Sequence, residues 1–250
     1  MNDVDVVEQE LNEVSWWSHW GELAWLDKGA YTITSRVFSE PLFNHASLLK
    51  QEVDPGTFVD RAVAAFSSVG IPPSFFLIDS PAFYPLRERL AVRGFSETDT
   101  MHVLAAADLR MKAEEDIDLV VVRSDVHAWV NAYLQSFYGD EALGSPAGAA
   151  VSRAVRDEAV SLVLAKRRET VVGEMALYRR DGLLGAYCVG TLPAHRKTGV
   201  ASVMLGYALS TAKGQGLTLV LQTFASDGVE GFYLKRGFKR IYQKQVLTRG

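Results

Sequence analysis

The spacing of apolar residues predicts alternating helices and strands in the first half of the chain. Phe58, Ala62 and Phe66 recur at helical spacing after a turn at 54–57, and Gly70 ends that helix. Short apolar runs bounded by Gly and Pro predict strands on either side of a second helix. The predicted order is a helix, a strand, a helix and a strand, over residues 58–69, 74–79, 84–94 and 99–106.

The second half has a richer pattern. A buried-strand run at 117–124 precedes two helical segments, the first with Asp125 as its N-cap and Gly139 beyond its end. Three strand-like runs joined by Arg/Glu and Asp-Gly pairs then predict antiparallel hairpins. They cover 159–167, 170–180 and 183–192. From Val200 a helix is apolar nearly all round, so it should be largely buried. A strand, a short helix and a last strand close the chain.

Two segments repeat the same plan. The runs RLAVRGF at 89–95 and FYLKRGF at 232–238 both end in Arg-Gly-Phe after a helix, and each lies between strands. The copies differ four residues before the glycine, where the second has Tyr233 and the first has Leu90. Leucine cannot donate a proton, so we expect one active half and one structural half.

A composition shift predicts the boundary between the halves. Bulky apolar residues become sparse between about 106 and 118. The expected organisation is therefore an N-terminal half at 1–108, a linker at 109–116 and a C-terminal half at 117–250.

Composition and charge narrow the function classes. The 250 residues are 48% hydrophobic and 22% charged with a formal net charge of -4, which disfavours nucleic acid as a partner. No apolar run is long enough to span a membrane, and the start lacks the layout of a signal peptide, so we expect a cytoplasmic protein. The single cysteine, Cys188, and five scattered histidines predict no disulfide and no metal site. The tryptophan-rich segment at 16–25 predicts core packing, with a substrate pocket as the alternative.

The segment PAHRKTGVA at 193–201 predicts an anion site. The start of a helix exposes unpaired N–H groups and the positive end of the helix dipole, and Gly199 would permit close backbone approach. Pro193 ends ladder pairing at the preceding strand and leaves that strand end open to an extended ligand. The alternative is an ordinary strand-to-helix turn with surface basic residues. A nucleotide P-loop is disfavoured, because the Gly-Lys-Ser/Thr order is missing.

In this context the sequence resembles the GNAT superfamily of acyl-CoA-dependent N-acetyltransferases. The pyrophosphate loop of that family is similar to PAHRKTGVA, and its tyrosine shortly before a Gly-Phe pair is similar to Tyr233 before Gly237-Phe238. The resemblance covers roughly 117–250. It implies an α/β (α+β) fold with a mixed, mostly antiparallel central sheet flanked by helices, and the first half resembles the degenerate GNAT-like copy of tandem members.

The resemblance also implies roles for individual residues. Acetyl-CoA would be the co-substrate, with Tyr233 as the general acid that protonates the departing thiolate. A core tyrosine is the alternative for Tyr233. The predicted cofactor-binding residues are the thioester strand, the pyrophosphate loop and one residue before the last helix: Val189, Gly190, Thr191, Arg196, Lys197, Thr198, Gly199, Val200, Ala201, Ser202 and Ser226. Arg196 could instead pack or pair nearby.

The general base is harder to assign. Where many family members carry Glu after the pyrophosphate helix, this chain has Gln222, which cannot accept a proton as a base. Glu174, the pair at 140–141 and an ordered water chain are the remaining candidates, and we predict Glu174. Asp227 is expected to cap the last helix. Cys188 could form an acyl intermediate, but a small strand residue is the preferred interpretation.

The predicted function is transfer of the acetyl group of acetyl-CoA to a primary amine by direct attack. The acceptor is a small molecule or a peptide, and the protein is expected to be a monomer or a homodimer. Two alternatives stay open: a non-catalytic acyl-CoA-binding sensor, and a transferase that uses a different acyl donor. The N-terminal half is expected to wall the acceptor pocket.

Overall fold

The structure is a computed structural model that describes residues 4–50, 52–106, 116–139 and 143–249. The predicted linker at 109–116, apart from Asp116, and the carboxylate pair at 140–141 lie outside the described residues. The helices are α1 (Val6–Trp17), α2 (Pro55–Val69), α3 (Tyr84–Val92), α4 (His127–Phe137), α5 (Gly144–Ala154), α6 (Val200–Gly214) and α7 (Glu230–Leu234). The strands are β1 (Glu22–Asp27), β2 (Ala30–Thr34), β3 (His45–Leu48), β4 (Ser74–Ile78), β5 (Phe95–Ala106), β6 (Asp118–Val122), β7 (Val160–Arg167), β8 (Thr170–Arg180), β9 (Leu183–Thr191), β10 (Thr218–Phe224) and β11 (Phe238–Arg249).

The chain forms two compact units, each assembled from segments that are distant in sequence. The larger unit contains 1–19, 104–222 and 232–239, and the smaller unit contains 20–103, 223–231 and 240–250. This division differs from the expected linear split around 109–116. The physical reason is that α1 packs against β8 and β9 of the larger unit, whereas the end of β11 pairs with β4 of the smaller one.

The strands of the larger unit run in the order β6-β7-β8-β9-β10. All neighbours are antiparallel except β9 and β10, which are parallel. The hairpin between β8 and β9 turns at Asp181 and Gly182, whose φ angles of 46° and 80° are those that a type I′ turn requires. The Asp-Gly signal in the sequence therefore predicted this hairpin correctly.

Helices cover both faces of this sheet. A Cβ added to Gly173 would lie 2.8 Å from Val200 Cγ1, so this face of β8 meets α6. The next residue, Glu174, points to the opposite face and contacts Ser136 of α4, as the alternation of side chains along a strand requires. The expected mixed sheet flanked by helices is confirmed. The face toward α6 is an apolar core, formed by Met175, Leu177, Ala186, Leu205, Leu221 and their neighbours.

In the smaller unit the strand order is β1-β2-β3-β4-β11-β5, with β3 and β4 parallel. Helix α2 begins within the predicted turn at 54–57, because the Asp54 carboxylate accepts a hydrogen bond from Thr57 N at 2.8 Å and caps the helix. It ends at Gly70, which has a φ of 71°. The sequence pattern had not indicated α1 or β1 to β3. The tryptophans at 16, 17 and 20 are buried as expected, whereas Trp25 is half exposed.

The two Arg-Gly-Phe segments have matching roles in their own units. Arg93, after α3, contacts the Asp60 carboxylate of α2 at 2.5 Å. Arg236, after α7, donates from Nε to Ser202 Oγ of α6 at 2.9 Å. In each unit the arginine joins the short helix to the long helix that precedes it in the chain, which supports the predicted repeat.

Candidate active site

A bulge in β9 opens the sheet of the larger unit. Between Glu174 and Ala176 of β8, the partner residues on β9 step from Gly190 to Tyr187, so β9 carries one extra residue. Cys188 within this step has a φ of 50°. Bulges bend a strand and re-aim its side chains, and they are common beside active sites.

Beyond the bulge, β9 loses its parallel neighbour. The pairing of β9 with β10 ends at Ala186 opposite Leu221, although β9 continues to Thr191. Within the described part of the chain, no strand pairs with 187–191 on the side of β10. Backbone N–H and C=O groups on that side are therefore available to an extended ligand. The sequence predicted an open strand end at Pro193, and the pairing with β10 is lost earlier, after Ala186.

Glu174 lies directly beside this open segment. Its side chain is fully buried, and Oε2 accepts a hydrogen bond from Ser136 Oγ at 3.0 Å. Its other oxygen, Oε1, has no hydrogen-bond partner among the described residues. A Cβ on Gly190 would lie 1.8 Å from Oε1. The carboxyl group therefore reaches the backbone of Gly190, and only glycine leaves it room.

Burial changes the protonation of this part of the site. Loss of solvent raises the pKa of Glu174 from 4.5 to about 8, although the hydrogen bond from Ser136 opposes the rise. Glu174 is thus mainly neutral at pH 7 and becomes a carboxylate within a unit or so above. Burial also raises the pKa of the Cys188 thiol well above its usual value, and the nearby Glu174 adds to that rise. Cys188 is therefore protonated and a poor nucleophile, in agreement with the preferred interpretation of the sequence.

The loop after β9 enters α6 through two residues with positive φ angles. Lys197 and Gly199 have φ angles of 63° and 88°, and Gly199 is the residue before the first turn of α6. The amides of the first helical turn have no partner within a helix, so those of Val200, Ala201 and Ser202 lie at the positive end of the helix dipole without an intrahelical acceptor. The Val200 side chain is buried, so it can offer a ligand only its main chain.

Three arginines fix this loop, and two of them were not identified from the sequence. Arg196 donates to Thr191 O at 3.3 Å and to Ser136 O at 3.0 Å. Arg167 of β7 lies 3.4 Å from Thr198 O, and Arg236 holds Ser202. Arg167 is the last residue of the strand-like run predicted at 159–167, and no site role was assigned to it. The repeated Arg-Gly-Phe segment was a usable signal for Arg236.

Tyr233 lies on α7 with its ring packed into the apolar core. The ring is edge-on to Phe232 and Phe238, with centroid distances of 5.2 and 5.8 Å. Val189 of β9 packs against the same core cluster. The ring thus has the setting of a core tyrosine, and it belongs to the same unit as the bulged strand.

Ser226 and Asp227 form a local polar cluster in the smaller unit. Ser226 Oγ donates to Asp99 Oδ2 at 2.5 Å, and its amide donates to Asp99 Oδ1. The Asp227 carboxylate accepts from the amide of Phe224 at 3.2 Å. It therefore reaches back to the turn before it, and the expected cap on α7 is not the contact that forms.

A buried polar contact joins β9 to helix α1, and the sequence pattern did not predict it. The Tyr187 hydroxyl donates to Asn12 Oδ1 at 2.7 Å. Burial raises the pKa of Tyr187 well above its usual value, with Glu13 adding to the rise and Gln222 opposing it through a hydrogen bond. Gln222 is thus a neighbour of Tyr187. The buried face of α1 contains polar residues, so the helix lacks the apolar periodicity by which a sequence pattern identifies a buried face.

Two other kinds of feature are absent from the residues that the structure describes. Over this part of the chain, no three His, Cys, Asp or Glu side chains are grouped as metal ligands. None of its helices combines the length and the hydropathy needed to cross a membrane.

An open strand edge, a buried carboxyl group beside it and a helix start with unpaired amides form a site that could accept an extended ligand with an anionic end. Residues 158–240 match the sequence profile described as the acetyltransferase (GNAT) domain. This stretch of the chain is therefore similar to the acetyltransferase domain of the GNAT superfamily. A search of curated protein sequences finds no match.

Solved structures show the same fold. A GCN5-related N-acetyltransferase from Kribbella flavida has a TM-score of 0.72 at 18% identity, over 97% of this chain and 95% of that chain. One from Sphaerobacter thermophilus has a TM-score of 0.65 at 14% identity, over 88% and 76%. A tandem GNAT protein from the clavulanic acid biosynthesis pathway has a TM-score of 0.58 at 13% identity, over 82% and 74%. The fold expected from the sequence is confirmed.

Proposed function

We propose that the protein transfers the acetyl group of acetyl-CoA to a primary amine of a small molecule or peptide. The observation that carries the proposal is the open edge of β9 at 187–191, with the unpaired Oε1 of Glu174 directed at Gly190. An extended thioester on this edge would meet backbone donors on one side and a titratable carboxyl group on the other. Cytoplasmic location and a monomeric or homodimeric state stay predictions.

The cofactor would lie along β9 and end at the start of α6. Main-chain groups of Val189, Gly190 and Thr191 would pair with the pantetheine arm and polarise the thioester carbonyl, as fixed dipoles do in an oxyanion hole. The amides at 197–202 would surround the pyrophosphate. Thr191 O already accepts a hydrogen bond from Arg196. The main-chain groups of Val189 and Gly190 would therefore be the principal partners of the pantetheine arm. The Ser226 hydroxyl donates to Asp99, so it could bind the cofactor only as an additional partner or by giving up that hydrogen bond.

Titration calorimetry with acetyl-CoA tests the cofactor site. We expect one molecule bound per chain, and loss of at least 100-fold in affinity in Gly199→Trp. An indole at a residue with a φ of 88° would strain the loop and fill the space at the helix start. Gly216→Ala, at the other end of α6, is the control, since it too has a positive φ but lies far along the helix. Unchanged affinity in Gly199→Trp would place the cofactor elsewhere.

In the proposed reaction the amine nitrogen attacks the thioester carbonyl carbon. The carbon–sulfur bond then breaks, the proton of the amine passes to the Glu174 carboxylate, and CoA thiolate receives a proton from Tyr233. A base with a pKa of about 8 works close to neutral pH. We therefore expect kcat/KM to rise with pH up to about 8, because only the ionised form of Glu174 can accept the proton.

Tyr233→Phe is expected to lower kcat by about 10²-fold, the lower range for loss of a general acid, and to leave acetyl-CoA affinity within about twofold. The phenyl ring preserves the packing against Phe232 and Phe238, so the fold should be retained. Steady-state kinetics and calorimetry measure the two effects. Full activity in Tyr233→Phe would make Tyr233 a core residue and remove it from the mechanism.

A second candidate is an acyl-CoA-binding sensor that does not catalyse transfer. The specific observation in its favour is that Glu174 is mainly neutral at pH 7, in which state it cannot remove a proton. Assays with an amine panel at pH 7 and pH 9 separate the candidates, because an enzyme gains rate at pH 9 and a sensor shows binding alone. The same panel with longer acyl-CoA donors tests the remaining alternative for the acyl group.

A further inference from the structure

Three hydrogen bonds connect the loop before α6 with the buried carboxyl group. The Arg196 guanidinium donates from Nη2 to Ser136 O at 3.0 Å and from Nε to Thr191 O at 3.3 Å. Ser136 in turn donates from Oγ to Glu174 Oε2 at 3.0 Å. The cationic side chain, the end of α4 and the carboxyl group thus form one chain of contacts within the larger unit.

Each contact has a physical reason. Ser136 lies in the last turn of α4, where carbonyl groups have no partner within the helix and a cation is favourable. Trp129 anchors the beginning of the same helix, since its indole Nε1 donates to Met175 O of β8 at 3.1 Å. A guanidinium is a planar group whose donors have fixed directions, so it holds two carbonyl groups in a more defined geometry than an ammonium group with rotatable donors does.

The arrangement of Glu174 depends on these neighbours. Oε2 is held by Ser136, and this leaves Oε1 directed at Gly190. The residue opposite on β7 is the neutral Leu164, and the titratable group on β9 is the Cys188 thiol. Arg196, which bonds the carbonyl group of Ser136, is the cation in this chain of contacts. A carboxyl group released from Ser136 could rotate Oε1 away from β9.

We propose that Arg196 and Ser136 are positioning residues, which hold the Glu174 carboxyl group at the thioester strand. Arg196 then acts through main-chain carbonyl groups and not as a ligand of the pyrophosphate. The inference rests on the proposed function in one respect, namely that Glu174 is the base. The contacts themselves are independent of it.

The first measurement is the pKa of Glu174 in the protein without cofactor, from carbon-13 NMR of labelled glutamate carboxyl groups with Glu174→Gln as the assignment control. In the wild type the hydrogen bond from Ser136 stabilises the ionised form of Glu174. Ser136→Ala removes this bond and should therefore raise the pKa by about one unit. Arg196→Gln should raise it too, since Ser136 is no longer held. This pKa measurement requires no turnover, so it tests the positioning role even if the protein catalyses no acetyl transfer.

The second measurement is the pH profile of kcat. A rise of one unit in the pKa of the base lowers its ionised fraction at pH 7 about tenfold, so Ser136→Ala should lose about tenfold in kcat at pH 7. It should keep its affinity for acetyl-CoA and regain most of the loss at pH 10. An absence of transfer in the wild type would instead overturn the proposed function.

Two further variants separate positioning from charge and from phosphate binding. Arg196→Lys keeps the charge but lacks the rigid pair of donors, Nε and Nη2, that bonds the two carbonyl groups, so the shift in the Glu174 pKa should persist. Lys197→Gln removes a charge from the same loop, and it should weaken acetyl-CoA binding without moving that pKa. Full rescue by Arg196→Lys would assign the effect to charge. An Arg196→Gln variant that behaves like Lys197→Gln would make Arg196 a phosphate ligand. Either result overturns the inference.

Discussion

Glu174→Gln is expected to lower kcat/KM for acetyl transfer by about 10²- to 10⁴-fold, the range for loss of a general base, and at the same time to stabilise the protein at alkaline pH. The glutamine amide is nearly isosteric and can still accept the hydrogen bond from Ser136 Oγ. It cannot accept a proton. A variant that loses activity and gains stability indicates that the original side chain serves function at a cost in stability.

The stability effect follows from proton linkage. The pKa of Glu174 is about 8 in the folded protein and 4.5 in an exposed chain, so between these values the folded state binds more protons. The free energy of unfolding therefore falls as pH rises from about 4.5 to about 8, by a total on the order of 5 kcal/mol, and is level above that. Glutamine is neutral throughout and should remove this slope.

Urea unfolding at pH 5 and pH 9 measures the slope, and initial rates with saturating acetyl-CoA measure the activity. Glu169→Gln is a matched control, because Glu169 lies exposed in the turn that connects β7 with β8. It should change neither quantity. Equal loss of stability at both pH values in Glu174→Gln would show that the carboxyl group has a structural role.

Local sequence signals predicted much of the C-terminal half. Asp181 and Gly182 supply the two positive φ angles of a type I′ turn, so the hairpin of β8 and β9 needs no distant contact to be recognised. The nearly uniform apolar surface of α6 likewise predicted its burial. These features depend on residues that are neighbours in the chain.

Features that depend on distant contacts were not predictable. Helix α1 buries Gln9, Glu10, Asn12 and Glu13, the reverse of the pattern that identifies an amphipathic helix. Asn12 is buried because Tyr187, far along the chain, donates to it. The burial of Glu174 similarly depends on the bulge at Cys188 and on α4 above it. The sequence identified Glu174 only as one of several candidates for the general base. The fold distinguishes it by burying its carboxyl group beside β9 and raising its pKa.

Gly190→Ala is expected to lower the free energy of unfolding by about 1–3 kcal/mol, the usual cost of overpacking, and to lower transfer at least 10²-fold. The added methyl group would lie 1.8 Å from Glu174 Oε1 and 2.8 Å from Ser136 Cβ. Neither contact is tolerable, so the carboxyl group must rotate or β9 must move away from β8. Both adjustments separate Glu174 from the thioester strand.

A second glycine provides the matched control. Gly148 lies within α5, and a Cβ there would meet nothing within 4 Å. Gly148→Ala should therefore stabilise the helix by about 0.5–1 kcal/mol and leave activity unchanged. Denaturant unfolding and initial rates of both variants distinguish a specific clash from a general response to added methyl groups.

The double variant Glu174→Ala, Gly190→Ala isolates the cause. If the clash with Oε1 is responsible, removing the carboxyl group should return part of the stability lost in Gly190→Ala, while transfer stays low because the base is gone. The interaction free energy from the double-mutant cycle should then be favourable by 1 kcal/mol or more, within the range of about 0.5–3 kcal/mol for residues in contact. Strictly additive losses would mean that Glu174 and Gly190 do not touch. In that case the carboxyl group would not lie at the thioester strand, and Glu174 could not be the base.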